Sequence, residues 1–187
     1  MRIAILSGNP KTNGLTQSII DAVKLGATEG GAEVDEVRLC DLDIKVCQVC
    51  GDGWGVCRAE SYCAYGDDGF DVARARLRDS DAIVIATPVY WWEVSEALKA
   101  FLDRLRRCEF NESGTVRDKQ VLLVAVPGGS GNGLLSCFEQ MERFCRHTGA
   151  IIFDYIGVNR WNSDYKRCAA EAAARALASG RRNGDTV

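Results

Sequence analysis

The sequence has little of what identifies several common classes of protein. No apolar run approaches the roughly 20 residues of a membrane-spanning helix, and the first strand is too short for an export signal. The first loop is neither a Walker A loop nor a GxGxxG turn, which disfavours nucleoside triphosphates and standard dinucleotides. The single histidine, His147, lies in a predicted helix far from any nucleophile-elbow motif, which argues against serine hydrolysis. We therefore expect a cytoplasmic protein outside these classes.

Length, charge and cysteine content set further bounds. The chain of 187 residues, 47% hydrophobic, suits a single domain over residues 1–187. A net charge of −3 gives no electrostatic reason to expect nucleic acid or a membrane surface as a partner. Nine cysteines without an export signal should stay mostly as thiols, and an odd number cannot all pair within one chain. Some of them are therefore expected to bind a ligand.

Apolar runs alternate with helical patterns along the chain. Strands are predicted at residues 3–6, 33–39, 82–86, 121–126 and 151–156, and helices at 16–29, 70–78, 94–105, 134–145 and 165–178. Residues 40–68 lack periodicity and form a cysteine-rich excursion, while residues 179–187 are expected to be a frayed tail. This alternation predicts an α/β fold, a five-stranded parallel sheet with helices on both faces.

Three loops follow predicted strands, at residues 7–16, 87–92 and 127–133. The carboxyl ends of parallel strands meet at one edge of a sheet, and ligands bind there near the switch in strand order. The three loops therefore predict one pocket.

The first loop has the composition of a phosphate site. Gly8 and Gly14 permit unusual backbone angles, and Thr16 is expected to cap the next helix. Free N–H groups at the helix start, the helix dipole and Lys11 together suit a phosphate monoester. An ordinary strand-to-helix turn uses the same residue types, so this loop alone leaves both interpretations open.

The other two loops suit a flat ring. Tyr90, Trp91 and Trp92 follow Pro88, and we expect at least one of the three in a cleft because consecutive aromatic residues cannot all face inward. The glycines at residues 128–133 would let backbone N–H groups approach a ring edge, although a flexible turn has the same composition. A planar heterocycle with one phosphate satisfies all three loops, and FMN is the common cofactor of that shape.

Two of these motifs resemble the flavodoxin-like NAD(P)H-dependent FMN reductases and, within them, the iron–sulfur flavoproteins. The family's phosphate loop, Gly-Ser-Pro-Arg-x-x-Gly-Asn-Thr, is similar to residues 8–16, where Asn9, Lys11 and Leu15 replace Ser, Arg and Asn. Thr-Pro-Val-Tyr-Trp at residues 87–91, followed by Leu-Lys-Ala-Phe and Asp-Arg within residues 98–104, is the closer match. The resemblance covers residues 1 to about 159.

The resemblance implies a flavodoxin-like three-layer fold and bound FMN. It places the phosphate on the first loop, and the isoalloxazine between residues 88–92 and residues 128–130. The cofactor-binding residues that it implies are Asn9, Lys11, Asn13, Gly14, Leu15, Thr16, Pro88, Val89, Tyr90, Trp91, Trp92, Gly128, Gly129 and Ser130. It also implies a homodimer or homotetramer in which the partner subunit closes the flavin site. No acid–base residue is assigned, because the flavin carries the hydride and electron chemistry.

The excursion holds further candidate ligands, namely Cys47, Cys50, Cys57 and Cys63. Iron–sulfur flavoproteins are similar here, with four cysteines ahead of an Asp-Asp pair, so the resemblance implies a [4Fe-4S] cluster. This chain departs from the family at residues 51–56, a glycine-rich insert where the family usually has two residues. Two alternatives stay open: the thiols hold zinc tetrahedrally, or they merely pack while the insert covers a neighbouring subunit or its flavin. The other five cysteines are expected at packing positions.

The resemblance implies an oxidoreductase, an NAD(P)H-dependent FMN reductase. Electrons would pass from NAD(P)H, or from a reduced carrier such as ferredoxin, through FMN to a small-molecule acceptor, by way of the cluster where one is bound. The first alternative is a flavodoxin-type electron-transfer protein without a small-molecule substrate, although such carriers tend to be more acidic than this chain. The second is a zinc-stapled interaction module, which would leave the aromatic pocket unexplained.

Overall fold

A five-stranded sheet forms the middle layer of the part of the chain that the computed structural model describes, residues 1–111 and 114–180. Its strands are β1 Arg2–Ser7, β2 Glu33–Arg38, β3 Ala82–Val89, β4 Gln120–Pro127 and β5 Ile151–Gly157. All neighbouring strands pair in parallel, in the order β2-β1-β3-β4-β5. The predicted parallel sheet is therefore confirmed. The predicted frayed tail lies, from residue 181 onward, outside the described residues.

Helices cover both faces of this sheet. They are α1 Leu15–Glu29, α2 Val56–Ala59, α3 Phe70–Arg78, α4 Glu96–Cys108, α5 Leu134–Thr148 and α6 Ser163–Ala178. On one face α1 and α6 bury apolar side chains against Ile3 and Ile5 of β1. On the other face α3, α4 and α5 pack against Ala4 and Leu6, because successive strand side chains point to opposite sides. The predicted three-layer, flavodoxin-like fold is confirmed.

The strand order determines where a ligand can bind. From β1 the chain passes to β2 on one side and then to β3 on the other, so the loops after β1 and β3 diverge at the same sheet edge. Such a reversal of strand order leaves a crevice outside the carboxyl ends of the strands. The loops after β4 and β5 reach the same edge.

Packing was predicted for the five cysteines that are not candidate metal ligands, and the structure corrects two of them. Cys108, Cys137 and Cys145 are buried, and burial raises the pKa of each to about 12, although nearby charges also act on Cys108 and Cys145. Cys40 and Cys168 are exposed instead. The inward face of α6 is formed by alanines and a leucine in residues 170–178, which leaves Cys168 on the outer face. In the described residues no helix is both long and apolar enough to span a membrane.

Candidate functional site

The loops after β1, β3, β4 and β5 enclose a pocket of about 390 Å³, within the range typical of small-molecule sites. It is lined by Asn9, Lys11, Asn13, Gly14, Leu15, Thr16, Pro88, Val89, Tyr90, Val126, Pro127, Gly128, Gly129 and Arg160. The structure thus brings together eleven of the residues predicted to bind cofactor. Trp91, Trp92 and Ser130 do not line the pocket, whereas Val126, Pro127 and Arg160 do, although none of these three was among the predicted binding residues.

The first loop is pressed against its neighbours at Gly8. Its N–H donates a hydrogen bond to the carbonyl of Ala86 in β3 at 2.8 Å. A Cβ at this position would lie 2.4 Å from Ser95 Oγ, at the start of α4, so only glycine fits. The loop is therefore anchored to the central strand and to α4.

The side chain of Asn9 organises the same loop from inside. It is buried, and its Nδ2 donates to the carbonyl of Lys11 at 2.6 Å and to Gln17 Oε1 at 3.2 Å. Its Oδ1 accepts from the Lys11 N–H at 3.3 Å. These bonds occupy the Asn9 amide within the protein, so the residue shapes the loop that presents Lys11.

The start of α1 differs from the predicted arrangement. Thr16 was expected to cap this helix, but the N-cap residue is Gly14 and no side chain caps it. Gly14 has φ +92° and ψ −175°, a conformation essentially restricted to glycine, which brings the helix start forward to Leu15. The first N–H groups of a helix have no partner within the helix. With Lys11 beside them they form a site suited to an anion.

The aromatic residues after β3 form an exposed turn. Tyr90 and Glu93 exchange two backbone hydrogen bonds, of 3.0 and 2.9 Å, with Trp91 and Trp92 at the tip. Both tryptophans have positive φ, 50° and 67°, and are 87% and 50% exposed. A left-handed conformation costs a residue with a Cβ roughly 1–2 kcal/mol. The expectation that at least one of the three aromatic residues lies in a cleft holds for Tyr90 alone.

The remaining wall comes from the last residues of β4, Val126 and Pro127, and from Arg160 after β5. Pro127 begins the third predicted loop but was not named as a binding residue, and the sequence reasoning did not indicate Val126 or Arg160. The rule that found the other loops, that ligand contacts follow the carboxyl ends of strands, also applies to the loop after the fifth strand. A cationic residue at that position is the signal that could have found Arg160.

A second cavity, of about 440 Å³, lies between the cysteine-rich excursion and α4. Its lining includes all four predicted metal ligands, Cys47, Cys50, Cys57 and Cys63. In the described part of the chain, no three or more His, Cys, Asp or Glu side chains are arranged to hold one metal ion. The thiols therefore surround the cavity without converging on a single point.

Arg104 lies on α4, lines this cavity and connects the helix to the excursion. Its guanidinium is almost fully buried and donates to Asp68 at 2.7 and 3.0 Å and to Cys63 Sγ at 3.2 Å. It also stacks over Phe70, 4.4 Å from the ring centroid. Burial acts to raise the pKa of Asp68, but hydrogen bonds from Arg104 and two backbone N–H groups outweigh it, so the pKa is lowered. Asp68 and Arg104 thus stay charged and paired at neutral pH.

The insert at residues 51–56 packs onto the end of α4. The Trp54 ring lies 5.0 Å from that of Phe110, and the Arg107 guanidinium is 5.0 Å from the Trp54 centroid. Arg107 and glycines of the insert line the cavity. The insert therefore forms one wall of the cysteine cavity.

Arg104→Met should lower the free energy of unfolding by about 3–5 kcal/mol, because it leaves a buried carboxylate without its partner. Lys99→Met, which breaks an exposed pair with Asp103, is the matched control and should cost less than about 1 kcal/mol. Urea unfolding measures both. Adding Asp68→Asn to Arg104→Met should recover part of the loss, and equal losses in the two single variants would contradict this account.

The chain belongs to the family described as NADPH-dependent FMN reductase, whose profile matches residues 1–163. That membership makes it a flavin oxidoreductase. Among individual proteins, it is 34% identical over 168 residues to a curated iron–sulfur flavoprotein of Methanosarcina thermophila, covering 87% of this chain and 83% of that one. The resemblance found from the two motifs is thereby confirmed.

Solved structures agree on the fold. An NAD(P)H:quinone oxidoreductase from Methanothermobacter marburgensis superimposes with a TM-score of 0.76 over 100% of this chain and 99% of its own, at 16% identity. A flavone reductase superimposes with a TM-score of 0.72 at 20% identity. In that case the match covers 96% of this chain but only 62% of the flavone reductase. At these identities the likeness shows the flavodoxin-like fold alone.

Proposed function

We propose that the pocket binds FMN and that the protein passes electrons from NAD(P)H through it to a small acceptor. The observation that carries this proposal is the meeting of the uncapped start of α1 with the loops after β3 and β4. Bound FMN would supply the hydride and electron chemistry. Family membership supports the same cofactor.

Each part of the pocket has a distinct task in this proposal. The first N–H groups of α1, with Lys11, Asn13 and Thr16, would hold the phosphate, on a loop shaped by Asn9 and ended by Gly14 and Leu15. Pro88, Val89 and Tyr90 would lie beside the ring. The bare backbone of Gly128 and Gly129 would approach its edge, with Ser130 just beyond.

We also infer a homo-oligomer, a homodimer or homotetramer, in which a partner subunit closes the flavin site. Trp91 and Trp161 are 87% and 73% exposed and are adjacent in the chain to Tyr90 and Arg160, which line the pocket. Exposed aromatic side chains of this kind are enriched at subunit interfaces. The names of similar proteins include quinone and flavone acceptors, which makes a planar carbonyl compound the first acceptor class to test.

Cofactor identity tests the flavin proposal directly. We expect heat to release FMN from the purified or reconstituted protein, because the first loop suits a terminal phosphate and no GxGxxG turn is present for a pyrophosphate. Chromatography of the released flavin measures this. Anaerobic NADH or NADPH should then bleach the bound flavin within seconds. Release of FAD would contradict the FMN site, and flavin that stays oxidised with both donors would favour the electron-carrier alternative.

We further propose that the cysteine cavity holds a [4Fe-4S] cluster ligated by Cys47, Cys50, Cys57 and Cys63. The cavity, at about 440 Å³, is much larger than one ion needs, and its thiols surround it. A zinc ion requires four sulfurs at about 2.3 Å from one point, whereas a cluster takes one thiolate at each iron. Cys108 also lines the cavity, but it lies on α4 and not in the excursion that carries the other four thiols. All nine cysteines are unpaired, which suits the reducing cytoplasm.

A further inference from the structure

Arg160 is a charged residue that lines the flavin pocket, and the FMN site proposed above assigns it no role. It lines the pocket, and a Cβ on Gly129 would lie 2.7 Å from its Nη2 and 3.1 Å from its Cζ. Its guanidinium therefore rests against the backbone of the loop proposed to face the ring edge. The guanidinium also lies over the Trp161 ring, 5.6 Å from its centroid, and no carboxylate pairs with it among the residues that the structure describes.

The loop that carries Arg160 is held by hydrogen bonds between asparagine side chains and backbone N–H groups. Asn159 Oδ1 accepts from the N–H groups of Trp161 at 2.9 Å and Asn162 at 3.2 Å, and Asn162 Oδ1 accepts from the Asn159 N–H at 2.8 Å. A Cβ on Gly131 would lie 2.7 Å from Asn159 Nδ2. Two consecutive residues after β5 thus pack against two glycines of the loop after β4. The position of Arg160 at the pocket is consequently set by both loops.

We propose that Arg160 balances the negative charge that the isoalloxazine edge gains on reduction, an inference that rests on the proposed FMN site. A hydride from the nicotinamide delivers two electrons and one proton, NAD(P)⁺ leaves, and the ring is then one unit more negative until a second proton arrives from solvent. A guanidinium without a counter-ion beside that edge stabilises the added charge. Charge close to the ring nitrogens is one means by which proteins tune flavin potentials. Lys11, by contrast, lies on the phosphate loop.

The test compares Arg160→Gln with Arg167→Gln, which removes the same charge from an exposed position on α6. Affinity of the apo-protein for oxidised FMN is measured by fluorescence quenching, and the two-electron midpoint potential by spectroelectrochemistry. We expect Arg160→Gln to weaken binding of reduced FMN about tenfold more than binding of oxidised FMN. For a two-electron couple that lowers the potential by about 30 mV. Arg160→Lys should keep most of the wild-type potential, and Arg167→Gln should keep all of it.

The remaining outcomes distinguish a failure of the proposed FMN site from a failure of the role proposed for Arg160. If wild-type apo-protein binds no FMN, the pocket proposal and this one are both overturned. If FMN binds but Arg160→Gln has the wild-type potential, only the role of Arg160 is overturned. An unchanged potential with a raised KM for NADPH would assign the guanidinium to a phosphate of the electron donor instead. Melting temperatures of all variants show whether a lowered midpoint potential results from a loss of folding stability.

Discussion

Replacing Cys50 by alanine is expected to remove essentially all iron from anaerobically purified protein while FMN stays bound. Wild-type protein should carry about four iron and about four sulfide per chain, as a [4Fe-4S] cluster requires. The loss should be complete because removing one of four thiolates leaves a corner of the cluster without its ligand. FMN should remain, since the residues lining the cysteine cavity and those lining the flavin pocket do not overlap.

Cys168→Ala is the control for this experiment. It removes an exposed thiol on α6, so iron, sulfide and FMN should match the wild type. Metal analysis, sulfide analysis and the anaerobic absorption spectrum give the three readouts. One zinc per chain would favour the interaction module. Iron-free wild-type protein that reduces acceptors at full rate would show that the four cysteines are structural.

Replacing Lys11 and Thr16 together by alanine should weaken FMN binding by about 30- to 1,000-fold. Hydrogen bonds to charged groups contribute about 1.5–3 kcal/mol each, and a combined loss of about 2–4 kcal/mol corresponds to that range. Folding should change little, because Lys11 is exposed and alanine suits the first turn of α1 better than threonine does. Titration of apo-protein with FMN measures the affinity, and thermal unfolding of the apo-protein measures the stability.

Lys24→Ala provides the matched control on the same helix. It removes one positive charge whose partner, Glu36, lies on β2, outside the pocket lining. FMN affinity should therefore stay near the wild-type value. An unchanged affinity in the double variant would place the phosphate elsewhere in the pocket. A large drop in apo-protein melting temperature would show instead that the two side chains support the loop.

Much of the fold follows from local pattern. The apolar runs at residues 82–86 and 121–126 form central strands of the sheet. A parallel strand that is covered by helices on both sides is buried on both faces, so its sequence is a nearly continuous apolar run. Once the strands are parallel, their carboxyl ends share an edge, so the loops carrying Lys11, Tyr90 and Gly129 meet without any knowledge of their contacts. The sequence by itself therefore determined the architecture and most of the pocket lining.

The tertiary structure decided the details that depend on distant residues or on backbone angles. The Asp68–Arg104 pair joins positions 36 residues apart, and the closeness of Arg160 to Gly129 depends on how β5 lies beside β4. The N-cap residue of α1 is Gly14 and not Thr16, because Gly14 adopts a positive φ that the hydrophobic periodicity of the sequence does not encode. Trp91 points to solvent because two backbone hydrogen bonds close a tight turn beneath it. Periodicity reports which face of an element is apolar, whereas these features arise only when separate elements pack together.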